Sequence, residues 1–218
     1  MKKKISDSAK VYNMTTLKLY DWWVLGISNR FAWRCDTQKY LLPHFLQHVR
    51  CRHLDIGVGT GYYLSHIPDE CSISLMDLNA DSLNAASGRI GSQRIMVSIQ
   101  HDVFEPFPEI FHKQYDSVSM FYLLHCLPGT MEKKSYAIKN AVISLRDDGI
   151  LFGATILGDG VNHNKFGRKL MSIYNKKGIF SNRSDSEKEL LRILSIYFRV
   201  VHIRVEGCVA LFSATQKK

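Results

Sequence analysis

The stretch "HLDIGVGTGYYL", residues 53–64, decides how the rest of the chain is read. An apolar run carries through Asp55 and Ile56, and glycines then stand at 57, 59 and 61. Glycine has no Cβ and populates positive φ freely, so glycines at alternate positions describe a tight turn with its backbone laid bare. The preceding "CRHLDIGV" is short, apolar and ends in glycine, the pattern of a buried strand. The turn is therefore expected to join a first strand to a first helix.

Outward from this stretch, strands and helices alternate. "CSISLMDLN" (71–79) is a second strand ending in an acid, and "ADSLNAASGRI" (80–90) puts Leu83, Ala86 and Ile90 on one helical face. "RIMVSIQHD" (94–102) alternates Ile95, Val97 and Ile99 as a third strand, and "QYDSVSMFYLLHCLPG" (114–129) holds a fourth. "MEKKSYAIKNAVISLRDDG" (131–149) spaces Ile138, Ala141, Val142 and Leu145 as a helix. Asp147 and Asp148, before Gly149, read as the turn into a fifth strand, "ILFGATIL". "SDSEKELLRILSIYF" (184–198) opens with Ser184 three residues before Glu187, a capping-box pattern, and lines Leu190, Ile193, Leu194 and Tyr197 along one face. "FRVVHIRVEGCVALFSATQ" (198–216) is two β-branched runs about a Glu-Gly turn, a terminal hairpin. Up to about residue 50 the chain is aromatic-rich and helical. In "KYLLPHFLQHV" (39–49), Leu42, Phe45, Leu46 and Val49 share a face, with Pro43 in the first turn.

Apolar strands alternating with helices mean a parallel sheet covered on both faces. The expected fold is α/β: an open, doubly wound, mostly parallel seven-stranded sheet with a C-terminal antiparallel hairpin and a helical N-terminal lid. The expected organisation is a single domain over 1–218, with the lid at 1–50, the core at 51–218 and a basic insert at 158–183. Ligands in such folds sit beyond the carboxyl ends of the strands, where strand order reverses.

Composition sets the class. The chain has 218 residues, 45% hydrophobic and 22% charged, an ordinary globular balance. No stretch approaches the ~20 apolar residues of a membrane span, and no apolar segment follows "MKKK" to make a signal peptide. Cys35, Cys51, Cys71, Cys126 and Cys208 are scattered, which suits reduced thiols and a cytoplasmic location. The net charge is +9. Much of it lies in Lys2, Lys3, Lys4 and Lys10, and in Lys165, Arg168, Lys169, Lys176, Lys177 and Arg183 of the insert. Such charge serves either as a solvated face or as an attraction for nucleic acid or an anionic substrate.

Dinucleotides and S-adenosylmethionine are two ligand classes that use a glycine turn of this kind. The dinucleotide pattern G-x-G-x-x-G/A fits at Gly57 and Gly59, but its third place falls on Tyr62, where close helix–strand packing needs a small residue. "LDIGVGTGYYL" instead resembles motif I of the class I S-adenosylmethionine-dependent methyltransferases. The order of elements, over roughly residues 40–216, is similar to theirs. The resemblance implies S-adenosyl-L-methionine as cofactor. It places the methionine part against Asp55 and the turn Gly57, Gly59 and Gly61. It makes Asp77, with Leu78, the acceptor for the ribose hydroxyls, and Asp102, with Val103, the partner of the adenine. Asp77 has a second reading as a helix cap, and Asp102 as a turn residue before Pro106.

Methyl transfer from a sulfonium is an in-line displacement, and positioning supplies much of its acceleration. By the resemblance, the end of the fourth strand, "FYLLHCLPG", faces the methyl. Tyr122 and His125 are the catalytic candidates there, since an imidazole titrates near neutral pH. His125 reads equally as a structural histidine capping the strand end, and Cys126 as a small buried filler. In "LYDWWVLGISNRFAWRCD" (19–36), Tyr20 is the candidate facing the cofactor, and Trp23 and Trp33 are candidates for the acceptor. These rings could also be the lid's own core. His163 and Arg168 of the insert, beside Lys169, suit an anionic acceptor.

Absences narrow the acceptor. No N-P-P-Y or D-P-P-Y follows the fourth strand, no paired glutamates of the protein-arginine type occur, and no cluster has metal-ligand spacing. The expected acceptor is therefore a small-molecule metabolite of secondary metabolism, with no metal. RNA is the competing partner, and a non-catalytic binding protein or a dinucleotide oxidoreductase are the competing functions. The acceptor atom and the oligomeric state are not encoded in any of these motifs.

Overall fold

The computed structural model describes residues 21–218, with side chains from 23 onward. Tyr20 and the N-terminal lysines lie outside the described residues. Seven strands form one sheet: β1 (Arg52–Ile56), β2 (Ser72–Asp77), β3 (Ile95–Gln100), β4 (Tyr115–Phe121), β5 (Leu145–Ile156), β6 (Phe198–Glu206) and β7 (Val209–Lys217). Their order is β3-β2-β1-β4-β5-β7-β6. The first five are parallel; β7 runs antiparallel between β5 and β6. Strand order reverses between β1 and β4, which marks the ligand end of the sheet.

Helices cover both faces, as near-continuously apolar strands require. They are α1 (Leu42–His48), α2 (Ala80–Ile90), α3 (Met131–Ser144), α4 (Lys165–Lys176) and α5 (Glu187–Tyr197). Ile138 and Ala141 of α3 and Leu190, Ile193 and Leu194 of α5 are buried on one face of the sheet. Phe45 of α1, Leu83 and Ala86 of α2, and Phe152 of β5 are buried on the other. A helical segment, Asp21–Ala32, and a further turn, Thr37–Leu41, precede α1. No helix among the described residues is long and apolar enough to cross a membrane.

Four local expectations are corrected. No helix follows the glycine turn: only one short turn, Leu64–His66, fits before Pro68 redirects the chain toward β2. Leu46 is exposed, because α1 is entered through the turn capped by Asp36 and its inward face runs through Leu41, Leu42 and Phe45. The cap of α5 is Ser186, whose hydroxyl accepts from the Glu189 N–H at 3.3 Å, so the S-x-x-E box lies two residues later than Ser184. Asp147 and Asp148 are exposed within β5, where the register slips from Tyr115↔Leu145 to Ser117↔Ile150.

The glycine turn is held by bonds from Gly57 N–H to the Met76 carbonyl (2.8 Å) and from Gly61 N–H to the Val58 carbonyl (2.9 Å). Its glycines have φ of 79°, 53° and 70°. At Gly61 a Cβ would meet the Ala86 Cα of α2 at 2.8 Å, whereas at Gly59 nothing lies within 4 Å. Gly61 thus brings α2 against the turn, and Gly59 leaves an open backbone. Gly61→Ala is expected to cost about 2–3 kcal/mol in urea unfolding, from backbone strain and overlap together. Gly59→Ala should cost about 1 kcal/mol, the left-handed backbone alone.

Candidate active site

Two carboxylates flank the bare turn. Asp55, near the end of β1, is buried, and the Ser119 hydroxyl of β4 donates to its carboxylate. Asp77 closes β2. Its carboxylate accepts from the backbone N–H of Asn79 at 2.8 Å and from those of Val58, Gly59 and Leu78. The cap of α2 is Asn79, accepting from Asp81 N–H at 2.8 Å, so Asp77 forms the turn before the helix instead of its cap. Burial lifts the Asp55 carboxyl to about 7 and the Asp77 carboxyl to about 6, and their mutual repulsion adds to the first. An open glycine backbone between a buried carboxylate, Asp55, and a half-buried one, Asp77, fits a ligand bearing a cation at one end and hydroxyls at the other.

The neighbouring strand ends are stitched to this turn. His101 N–H donates to the Asp77 carbonyl at 2.9 Å, and Gln100 Nε2 donates to the Leu78 carbonyl at 2.9 Å. Asp102 lies two residues past the end of β3; its carboxylate accepts from Phe104 N–H at 3.0 Å and its carbonyl from Glu105 N–H at 2.9 Å. Val103 is buried beside it, its carbonyl taken by Asn140 Nδ2 at 2.9 Å. Asp102 is thus a turn residue in its bonding, and it stands at the carboxyl end of the sheet with Leu78.

Tyr122, just past β4, has φ of 56°, a left-handed conformation held by its N–H bond to the Ala154 carbonyl at 2.8 Å. Its hydroxyl donates to Asn29 Oδ1 at 2.8 Å; Asn29 Nδ2 donates to Thr37 Oγ1 at 2.9 Å; Thr37 donates to the Leu25 carbonyl. This buried chain fastens the lid to the tip of β4. His125 is buried, with Nδ1 accepting from Ile156 N–H at 3.2 Å and lying 3.3 Å from Thr155 Oγ1. The Tyr122 and Phe180 rings pack edge-on against it. Burial, helped by the nearby Lys134 charge, pushes its pKa down to about 3, so the imidazole is neutral at physiological pH. Burial raises the Cys126 thiol to about 12, which keeps it protonated.

An ion pair that no sequence motif marked lies behind this tip. Lys134 of α3, with 0% exposure, places Nζ 2.5 Å from Asp185 Oδ2 and 2.7 Å from the Ser181 carbonyl. Ser181 N–H donates to the His125 carbonyl at 2.8 Å, so the pair anchors the insert to the β4 end. The available signal was a lysine on the same helical face as Ile138 and Ala141.

Lid and insert meet directly. Trp23 Nε1 donates to the Tyr174 hydroxyl at 3.0 Å. Trp33 is 1% exposed, its ring packed between His163 and Phe180. His163 Nε2 lies 3.0 Å from the Leu157 carbonyl, and burial lowers its pKa. Arg168 is exposed and donates to the His163 carbonyl. Lys165, Arg168 and Lys169 form a solvated face of α4. Among the described residues no group of histidines, cysteines and acids is clustered to hold a metal.

Comparison with known proteins gives this arrangement a family. Residues 54–151 match a methyltransferase-domain family. The chain is 61% identical over 194 residues to the uncharacterised protein YbcY of Escherichia coli K12, covering 89% of this chain and 100% of that one. It is 40% identical over 210 residues to the physcion biosynthesis cluster O-methyltransferase of Aspergillus chevalieri, covering 95% of this chain and 94% of the relative. The crystal structure of the N-methyltransferase NodS from Bradyrhizobium japonicum WM9, in complex with S-adenosyl-L-homocysteine, shares the fold. Its TM-score is 0.59 at 14% identity, covering 82% of this chain and 85% of that one.

The raised carboxyl at Asp77 has a sign that can be read. In the unfolded chain it loses its proton near the ordinary 3.8, in the folded chain near 6. Between these values the folded state binds more protons, so its contribution to stability falls as pH rises. Asp77→Asn should therefore gain melting temperature relative to the unsubstituted protein as pH goes from 4 to 7. A relative shift on the order of 3 °C, followed by thermal scanning without ligand, is expected.

Proposed function

The chain belongs to the class I S-adenosylmethionine-dependent methyltransferases, and on that premise we propose that it methylates a small, planar, largely apolar metabolite of secondary metabolism held beneath the aromatic lid. The observation that carries this reading is the bonded chain from Tyr122 through Asn29 and Thr37, which draws the lid over the β4 tip. A covered tip suits a small acceptor better than a polymer. The name of the Aspergillus relative favours an oxygen acceptor. The cysteines suit a reducing, cytosolic setting.

When bound, S-adenosylmethionine supplies an electrophilic methyl on a sulfonium. The chain's own residues position it. Asp55 offers a carboxylate to the ammonium of the methionine part, Asp77 accepts from the ribose hydroxyls, and the turn at Gly59 lets the ligand approach the backbone. Asp102, Leu78 and Val103 border the adenine. Tyr122 and His125 stand at the reacting end. His125 is neutral in its buried setting, with Nδ1 taken by the Ile156 N–H, so its proton stands on Nε2 and it orients the acceptor as a donor. Trp23, His163 and Arg168 bound the acceptor from the lid and the insert, whereas Trp33, buried between His163 and Phe180, belongs to the lid's own core.

The exposed basic face of α4 supports the competing RNA reading. Labelled methyl transfer from S-adenosylmethionine, offered a metabolite extract and total RNA separately, decides between them. Label is expected in the extract; label in RNA that ribonuclease removes would replace the small-molecule reading. Asp77→Ala should weaken S-adenosylhomocysteine binding by about 1–3 kcal/mol in calorimetry. His125→Ala should lower turnover while leaving that affinity nearly unchanged, and equal loss of both would make His125 structural.

A further inference from the structure

A polar ladder runs beneath the glycine turn, between β1 and β4. His53 and Asp55 occupy one face of β1, and the strand register sets them beside Ser117 and Ser119 of β4. His53 is 0% exposed, with the Phe45 and Phe152 rings packed against it. Its Nδ1 lies 2.9 Å from Ser117 Oγ and its Nε2 3.0 Å from Ser119 Oγ. Ser119 in turn donates to the Asp55 carboxylate, and Arg50 N–H donates to Ser117 Oγ at 2.9 Å.

The direction of this ladder follows from counting protons. With Asp55 ionised, as it is when it faces an ammonium, Ser119 gives its one hydroxyl proton to that carboxylate and so accepts from His53 Nε2–H. A neutral imidazole has one N–H, so Nδ1 must accept, and Ser117 gives it its hydroxyl proton. Ser117 then accepts from Arg50 N–H. Every donor points toward Asp55, and every member is satisfied. Burial lowers the His53 pKa to about 3, which keeps the ring in this neutral form. A buried network of this kind is costly when incomplete and directional when complete.

We propose that His53 is a positioning residue for the cofactor: through Ser119 it fixes the orientation of the Asp55 carboxylate toward the ammonium of the methionine part. This rests on the cofactor reading of the site. His53 touches no ligand itself; it sets what Asp55 presents.

The test compares two ligands that differ only at the end Asp55 serves. S-Adenosylhomocysteine carries the amino-acid part, and 5′-methylthioadenosine keeps the nucleoside and thioether without it. In calorimetry on the full chain, His53→Leu should weaken S-adenosylhomocysteine about tenfold, the scale of one charge-assisted hydrogen bond. Methylthioadenosine should be bound as by the unsubstituted protein. His53→Gln, whose amide can accept from Ser117 and donate to Ser119, should recover most of the loss, and Ser119→Ala should reproduce it. Equal weakening of both ligands, or no weakening of either, would overturn the proposal. If His53→Leu does not fold, Ser119→Ala and His53→Gln carry the comparison. Nitrogen chemical shifts of His53 provide a readout independent of ligand: a proton on Nε2 supports the ladder, and one on Nδ1 overturns it. An unsubstituted protein that binds neither ligand would overturn the cofactor reading itself, while those shifts would still decide the ladder.

Discussion

The parallel register of β1 against β4 is the constraint on which the site depends. It sets Asp55 opposite Ser119 and His53 opposite Ser117, at the place where strand order reverses. Strand side chains alternate, so a slip of β4 by one residue would turn Ser117 and Ser119 to the other face, away from His53 and Asp55. In the native register they form one satisfied column. The glycine turn starts from the top of that column, so the position of the ligand end of the sheet is fixed by backbone pairing well below it.

Above the column, the site is closed by contacts between parts of the chain far apart in sequence. The lid is tied to β4 through Tyr122 and Asn29, to the insert through Trp23 and Tyr174, and to the hairpin through the Cys208 N–H bond to the Trp33 carbonyl. Gly207 permits the last contact, since a Cβ there would meet the Trp33 carbonyl oxygen at 2.2 Å. Tyr122 holds a left-handed backbone at the centre of these contacts. Such conformations persist only where surrounding structure over-determines them, and they gather at functional sites. Lys134 and Asp185 fix the insert from behind. A buried pair of this kind costs much to desolvate and contributes mainly a defined geometry.

The fold was legible because its signals are local and repeated. Apolar runs of strand length, helical spacing at Leu83, Ala86 and Ile90, and the turn glycines each constrain one element, and their order constrains the sheet. Boundaries were less legible where two local choices compete. Ser184 and Ser186 each precede a glutamate by three residues, and only the burial of Asp185 against Lys134 decides for Ser186. Leu46 follows helical spacing as well as Leu41 does, and only the entry of the chain at Asp36 decides which one faces inward.

By itself the sequence determined the class of fold, the place of the bare turn and the acids that flank it, because glycine conformation and strand-end carboxylates act over a few residues. The tertiary structure alone decided what those acids experience. The rise of the Asp55 and Asp77 carboxyls follows from burial, and the settings of Asp55, His53, His125 and Lys134 depend on partners 30 to 66 residues away, such as Thr155, Asp185, Ser117 and Ser119. No spacing in the sequence encodes a dielectric environment. It arises only when the strands pair and the lid closes over them.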